Sequence, residues 1–409
     1  MFSKAIDAEN YVMNRHGKGV GLARFREILE EYGNPQDAVP AIHVAGTNGK
    51  GSTCNYLKDI YRALGYRTGL FTSPHLDEHR DRIRIDDVWI PEVRYLEYVN
   101  ALYERIEQEG LSMFECVTLI GFLYFRDEKV DLAVIETGLG GLLDMTNALN
   151  HPLISVITTI GYDHMNVLGD TLAEIAAQKA GIIKENGKVM IGDLVPEAVP
   201  VIRETAALKQ AQFLQMKEFT DLPGSALMLD GMVYTLASNA QYQKKNAVLA
   251  LSAAEALGVD IHDPRVVDAV GGSLWKGRFE TVCRNPYIIM DGAHNEEGMT
   301  ALVQSVHSLP RPVTCVFTAL RDKQGPLMAA MLGENVDRLI VTEIPFYRAD
   351  SGEHLCPEEG TVIPDYRDAI DLAVRECGDG SVLICGSLYF VSFAREHLKE
   401  RGLLKPENK

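Results

Sequence analysis

Asn48-Gly49-Lys50-Gly51-Ser52 sets a lysine between two glycines. Glycines let backbone N–H groups approach a ligand closely, and a lysine ammonium supplies a point charge for the β- and γ-phosphates of a nucleotide. The spacing departs from the common phosphate-loop pattern, because Val44 stands where its first glycine would fall and Gly51 separates Lys50 from Ser52. Further along, the apolar run Val130–Ile135 delivers Glu136, followed by Gly138-Leu139-Gly140-Gly141 and then Asp144, Thr146 and Asn147. A carboxylate beside a glycine loop suits a Mg²⁺ ion shared with phosphates. A second apolar run, 154–160, hands over to Asp163-His164. His164 is therefore either a further ligand or an ordinary structural histidine.

The elements around these residues are those a phosphate site needs. The β-branched run before Gly46 is a strand. After Lys50, residues Leu57, Ile60, Tyr61 and Leu64 recur at helical spacing until Gly65. Strand, glycine turn and helix together aim free N–H groups at an anion. The alternative is a surface turn with a solvated lysine. Residues 5–40 read as two amphipathic helices around His16-Gly17-Lys18-Gly19-Val20-Gly21, a loop that is either a flexible connection or a second ligand loop. Thr68–Ser73 reads as a strand entering Ser73-Pro74-His75-Leu76, and the charge-dense stretch 77–87 as a loop leaving that strand beside the phosphate turn. Residues 111–125 read as a helix. Thr171 and Glu174 form a capping box for a helix ended by Gly181, along which Leu172, Ile175, Ala176 and Lys179 share one face. Lys179 thus interrupts an apolar stripe.

A strand at Lys188–Ile191, a helix near 198–208, a hairpin at Asp230-Gly231 and a helix from Gln243 to Gly258 follow. Trp275–Glu280 breaks the pattern, which predicts domains at 1–275 and 276–409. Beyond the break a strand at Ile288–Met290 ends in Asp291-Gly292-Ala293-His294-Asn295, with a helix from about Gly298. Strands near 313–318, 338–343 and 381–385 alternate with helices near 325–332, 366–376 and 387–398. Such alternation means parallel strands with crossover helices on both faces. The expected class is α/β, with a P-loop parallel-sheet ATPase domain followed by a smaller Rossmann-like α/β domain.

At 409 residues the chain exceeds what one hydrophobic core usually serves. A net charge of −17 argues against nucleic acid or an anionic membrane as partner, so a phosphate must be met by local cations and a metal. Seven cysteines without CxxC spacing read as reduced thiols of a cytoplasmic protein. Met1–Asn10 is polar and charged, unlike a signal peptide, and no apolar run approaches the ~20 residues of a membrane span.

Taken in order, the motifs are Gly46-Thr47-Asn48-Gly49-Lys50-Gly51-Ser52, Thr72-Ser73-Pro74-His75-Leu76, Glu136–Gly141, Asp163-His164, Lys179-Ala180-Gly181-Ile182-Ile183-Lys184, Gln243-x-x-Asn246-Ala247, Gly277-Arg278-x-Glu280, Asp291–Asn295 and Gly386-Ser387-Leu388-Tyr389. With these the chain resembles the folylpolyglutamate synthase and dihydrofolate synthase family, relatives of the Mur ligases. The resemblance implies an ATP-dependent amide ligase that activates the carboxylate of a folate or dihydropteroate as an acyl phosphate and joins it to L-glutamate. It implies that Asn48, Gly49, Lys50, Gly51 and Ser52 hold the nucleotide phosphates. Asn246, Arg278 and Asp291 would close over ATP from the domain interface. Ser73, Glu136 and His164 would hold Mg²⁺, with two ions in all, and His294 would help place glutamate. Gly21, Leu22, Arg24, Phe114, Glu115, Asp144 and Met145 align with the folate pocket. Lys179 would be a carbamate. Its place on the apolar stripe favours the neutral amine, the form that reacts with CO₂; the alternative is a lysine that snorkels to the surface. Partners would be small molecules alone, acting on a monomer.

Three residues depart from the family pattern. Leu142 replaces an arginine after the double glycine, Lys276 a proline, and Met145 an alanine. Two other readings compete. A Mur-type peptidoglycan ligase would carry an extra N-terminal domain, for which the strand before Lys50 starts too early. A nucleotide switch without ligase turnover would not need Glu136, His164 and Lys179.

Overall fold

Ala41–Ala45, the strand that feeds the glycine turn, is buried along its whole length and lies inside an eight-stranded sheet. The sheet order is Val88–Trp89, Ile83–Ile85, Thr68–Phe71, Leu132–Glu136, Ala41–Ala45, Ile154–Ile157, Lys188–Ile191 and Gln212–Gln215. Its six last-named strands run parallel, and the first two pair antiparallel. From Ala41–Ala45 the chain builds to one side, then crosses to Ile154–Ile157 on the other. Ligands of such sheets gather beyond the carboxyl ends of the strands where the order reverses. The helix Lys50–Ala63 follows Gly49, whose φ of 82° suits glycine, and it buries Leu57, Ile60 and Tyr61.

The computed structural model describes residues 1–404, grouped in two units. The first comprises Met1–Thr220, Leu229–Tyr234 and Lys245–Ser273; the second takes Asp221–Met228, Thr235–Lys244 and the chain from Leu274 onward. The chain therefore passes between units around the hairpin as well as at Ser273, where a single break at 275 was expected. The second unit holds a six-stranded sheet in the order Glu280–Arg284, Tyr287–Asp291, Ser381–Cys385, Val313–Phe317, Arg338–Glu343 and Thr361–Asp365. All neighbours are parallel except the first pair.

Most expected elements occur within a few residues of their places. The stretch 77–87 does not form the expected loop. It folds as a turn at His79–Arg82 and the short strand Ile83–Ile85, which pairs with Val88–Trp89 just beyond it, and His79, Arg80, Asp81, Arg82 and Arg84 are buried. Arg80 donates to Glu9, Glu78, Glu92 and the Ile90 carbonyl, which is how a charge-rich segment tolerates burial. The helices Glu92–Glu109 and Pro264–Gly272 and the strands Gln212–Gln215, Glu280–Arg284 and Thr361–Asp365 were not read from the sequence. The first helix does carry a signal, since Tyr95, Tyr98, Val99, Leu102 and Ile106 repeat at helical spacing. Gln212–Gln215 and Thr361–Asp365 are sheet-edge strands without an apolar run. Among the described residues no helix is long and apolar enough to cross a membrane.

Candidate active site

The glycine turn is stitched to the end of strand Ile154–Ile157. Thr47 N donates to Thr159 O at 2.9 Å and Asn48 N to Thr159 Oγ1 at 3.0 Å, while Thr158 Oγ1 donates to Asn48 O at 2.5 Å. Gly46, at φ 153°, leaves no room for a side chain, because a Cβ there would lie 1.8 Å from Thr158 Oγ1. Lys50 Nζ donates to the carbonyls of Gly46 at 3.0 Å and Thr47 at 3.2 Å, so its charge lies over the turn itself. Gly51 and the buried Ser52 occupy the first helical turn. Asn246, buried on helix Gln241–Glu255, belongs to the first unit and lies against the turn; a Cβ on Gly49 would fall 2.4 Å from its Oδ1. Its place beside Gly49 is therefore a feature of the first unit by itself.

Val44 and Glu136 are register partners on adjacent parallel strands, which brings the Glu136 carboxylate beside the phosphate turn. Ser73 N donates to Glu136 Oε2 at 3.1 Å. Arg82, which the sequence reading left unassigned within the charge-dense stretch, donates to Ser73 Oγ and to His75 Nδ1, each at 3.0 Å. Nδ1 must then be the acceptor, so His75 is the neutral Nε2–H tautomer. Burial and the adjacent Arg82 cation push its pKa down to about 4. His164 is exposed, at φ 49° ahead of the short helix Met165–Leu168, with Nε2 3.8 Å from Asp163 Oδ1.

Among the described residues no three His, Cys, Asp or Glu side chains form a group able to hold a metal by themselves. The pairing of Glu136 with Ser73 fits Mg²⁺ nonetheless. That ion commonly takes one or two carboxylates and completes its shell with phosphate oxygens and water.

Lys179 lies on helix Leu172–Ala180 with only 3% of its surface exposed, on the face of the buried Ile175 and Ala176. The glycine loop after Glu136 docks on this segment. Leu142 N donates to Gln178 O at 2.7 Å, and Asn147 Nδ2 donates to Leu142 O at 3.0 Å and Gly181 O at 3.1 Å. Lys184 Nζ donates to Asn147 Oδ1 at 2.8 Å, which explains the second lysine of the Lys179–Lys184 motif.

Of the residues aligned with the folate pocket, Leu22, Phe114 and Met145 are partly buried on one hydrophobic cluster. The Phe114 ring covers Gly138, where a Cβ would meet it at 2.5 Å. Three others have protein partners of their own. The Glu115 carboxylate accepts from Val20 N, Gly21 N, Ser112 N and Ser112 Oγ at 2.7–3.0 Å, so it caps its own helix and closes the loop containing Gly21. Arg24 pairs with Glu27 and Glu109 on the surface. Asp144 is buried, with its pKa raised by desolvation, and it shapes its loop by accepting from Leu139 N, Thr146 N and Thr146 Oγ1. Because the Thr146 hydroxyl donates to Asp144, it accepts from His43 Nε2 at 2.8 Å.

In the second unit, Asp291 ends strand Tyr287–Asp291 fully enclosed. Its carboxylate accepts from Tyr242 Oη, from Phe279 N at 2.8 Å and from Ala293 N at 2.7 Å. Burial raises its pKa against the opposing pull of Arg278. The carboxylate thus holds the chain around Arg278 and His294, whatever contact it makes with a ligand. His294 Nδ1 lies 2.9 Å from Gly292 O, and a carbonyl only accepts, so Nδ1 carries the proton.

Residues 44–195 match the Mur ligase middle domain, and residues 277–388 match the Mur ligase glutamate ligase domain. A Bacillus subtilis dihydrofolate synthase/folylpolyglutamate synthase is 33% identical, covering 98% of this chain and 100% of its own length. The chain belongs to the folylpolyglutamate synthase and dihydrofolate synthase family. A Mycobacterium tuberculosis folylpolyglutamate synthase, solved with ADP and AMPPCP, superposes with a TM-score of 0.86 at 31% identity, covering 96% of this chain and 98% of that one. Escherichia coli FolC in complex with DHPP and ADP gives 0.87 at 28% identity, covering 98% and 99%. As a folylpolyglutamate synthase/dihydrofolate synthase family member, the protein is an ATP-dependent acid–amino-acid ligase with the expected two-domain α/β fold. That membership sets aside the peptidoglycan-ligase and nucleotide-switch readings.

Proposed function

We propose that the enzyme joins L-glutamate to the carboxylate of a folate, and of dihydropteroate as well, with ATP and two Mg²⁺ ions. The observation that carries the site assignment is the placing of Glu136 and Ser73 at neighbouring strand ends beside the Lys50 turn. A substrate carboxylate oxygen attacks the γ-phosphorus, ADP leaves, and an acyl phosphate forms. The glutamate amine then attacks the acyl carbon, inorganic phosphate leaves, and the amine loses a proton as the amide forms. Activation is required because a carboxylate is a poor electrophile whose charge repels the nucleophile.

Lys50 and the turn amides hold the phosphates, with Asn246 beside them and Arg278 as a further cation. Glu136, Ser73 and His164 would hold Mg²⁺, which neutralises phosphate charge during transfer. A carbamate on Lys179 would supply an anion from a buried helix face. His294 helps place glutamate. Leu22, Phe114 and Met145 offer an apolar surface for the pterin and benzoyl rings, and Gly21, Arg24, Glu115 and Asp144 would line the same pocket. Seven unpaired cysteines support a reducing, cytoplasmic setting.

The test is ATP turnover with tetrahydrofolate and dihydropteroate side by side, each with and without glutamate. Phosphate release that requires both the pterin substrate and glutamate is expected. Release that ignores glutamate would refute the ligase assignment for these substrates.

A further inference from the structure

Arg278 stands in a turn that its own sequence does not favour. Gly277 before it has φ 65° and Phe279 after it φ 51°. A left-handed glycine is ordinary, but a left-handed phenylalanine is held only where its surroundings dictate it. Both flanking amides meet buried carboxylates. Phe279 N donates to Asp291 Oδ2 at 2.8 Å, and Gly277 N donates to Glu280 Oε2 at 2.8 Å. Between them Gly277 O accepts from Gly292 N at 2.8 Å. The guanidinium then lies over Gly292, where a Cβ would fall 2.2 Å from Arg278 Nη1.

Glu280 is itself fixed from far along the chain. Its Oε2 also accepts from Arg395 Nη1 at 2.6 Å, across 115 residues of sequence, and the two residues are 6% and 2% exposed. A buried ion pair of this kind adds little net stability over an apolar pair of similar volume, because both charges give up their hydration. What it does provide is a single position for the shared oxygen, and so for the Gly277 amide bound to it.

We propose that Glu280 and Arg395 are positioning residues for Arg278, fixing the turn that aims its guanidinium at the nucleotide. The inference rests on the reading of Arg278 as a phosphate cation. Glu280→Gln keeps the shape but weakens both contacts at Oε2. Arg395→Lys keeps the buried charge paired, and so the fold, while losing the planar geometry.

Each variant is made with Arg278 present and with Arg278→Ala, and kcat, KM for ATP, KM for glutamate and thermal melting are measured. Arg278→Ala alone is expected to lower kcat/KM for ATP by ~100-fold, as losing a charge-stabilising group does. Arg395→Lys and Glu280→Gln are each expected to lower it by about tenfold, and by less than about twofold when Arg278 is already alanine. Equal losses in the two backgrounds, tracking the fall in melting temperature, would overturn the positioning role and leave the Arg278 assignment standing. Unchanged nucleotide kinetics in Arg278→Ala would overturn both. Should Glu280→Gln not fold, the Arg395→Lys pair of backgrounds decides alone.

Discussion

The amide of Ser73 donates to Oε2 of Glu136 at 3.1 Å, joining the ends of two adjacent parallel strands, Thr68–Phe71 and Leu132–Glu136. The contact directs one carboxylate oxygen at the serine and holds the side chain where the phosphate turn begins. Glu136→Gln keeps size and shape but removes the anion that Mg²⁺ seeks. The Mg²⁺ concentration for half-maximal activity is expected to rise by at least the ~10-fold that loss of an outer-shell partner costs, with activity partly restored at high Mg²⁺. A Mg²⁺ titration of the variant checks this, and an unchanged midpoint would remove Glu136 from the metal's ligands.

Lys179 is buried beside Ile175 and Ala176, where an ammonium would lose its hydration. A carbamate there would be an anion able to meet a metal-bound neighbour. Lys179→Ala is expected to lose activity by a hundredfold or more, on the order of one charged active-site group. Added formate or acetate should restore part of it. Activity of the alanine variant at the wild-type level would end the carbamate reading.

Leu142 is 45% exposed, while its N–H and C=O are both tied down, to Gln178 and Asn147. A new side chain therefore leaves the loop in place. Leu142→Arg introduces the cation that the family resemblance leads one to expect there, and it should change the ratio of kcat/KM for dihydropteroate and tetrahydrofolate. KM for ATP should stay constant. An equal change for both pterins would mean general damage to the loop.

His43 is wholly enclosed, and burial, with Lys184 adding to it, lowers its pKa from 6.5 to about 3. The folded state refuses a proton that the unfolded state accepts. Its contribution is therefore intact above pH 6.5 and is lost progressively as the pH falls from there toward 3. His43→Gln keeps an N–H donor for Thr146 and removes the titration. Urea unfolding between pH 7 and pH 4 should show wild-type stability falling more steeply than the variant's, by roughly 1–3 kcal/mol over that span. Parallel curves would show that another group governs the decline.

Local chemistry is legible in the order of residues along the chain. Gly49-Lys50-Gly51 after an apolar run, Glu136 ahead of its glycine loop, and the Thr171–Glu174 capping box are each built from neighbours in the chain. Near-range geometry is set by backbone dihedrals and by strand and helix periods, so composition and spacing are enough to read it. The hydrogen-bond partners of buried side chains emerge only once the chain is folded. Nothing in the sequence says that Val20 and Gly21, some 95 residues away, donate to one oxygen of Glu115. Nor does it say that Asp144 is buried and accepts from Leu139 N and Thr146 N of its own loop. Arg82 read as one charge among several until folding set it against Ser73 and His75. The physical reason is the same in each case. A buried polar group must be satisfied by whatever the fold brings within reach, and the chain's order does not say what that will be.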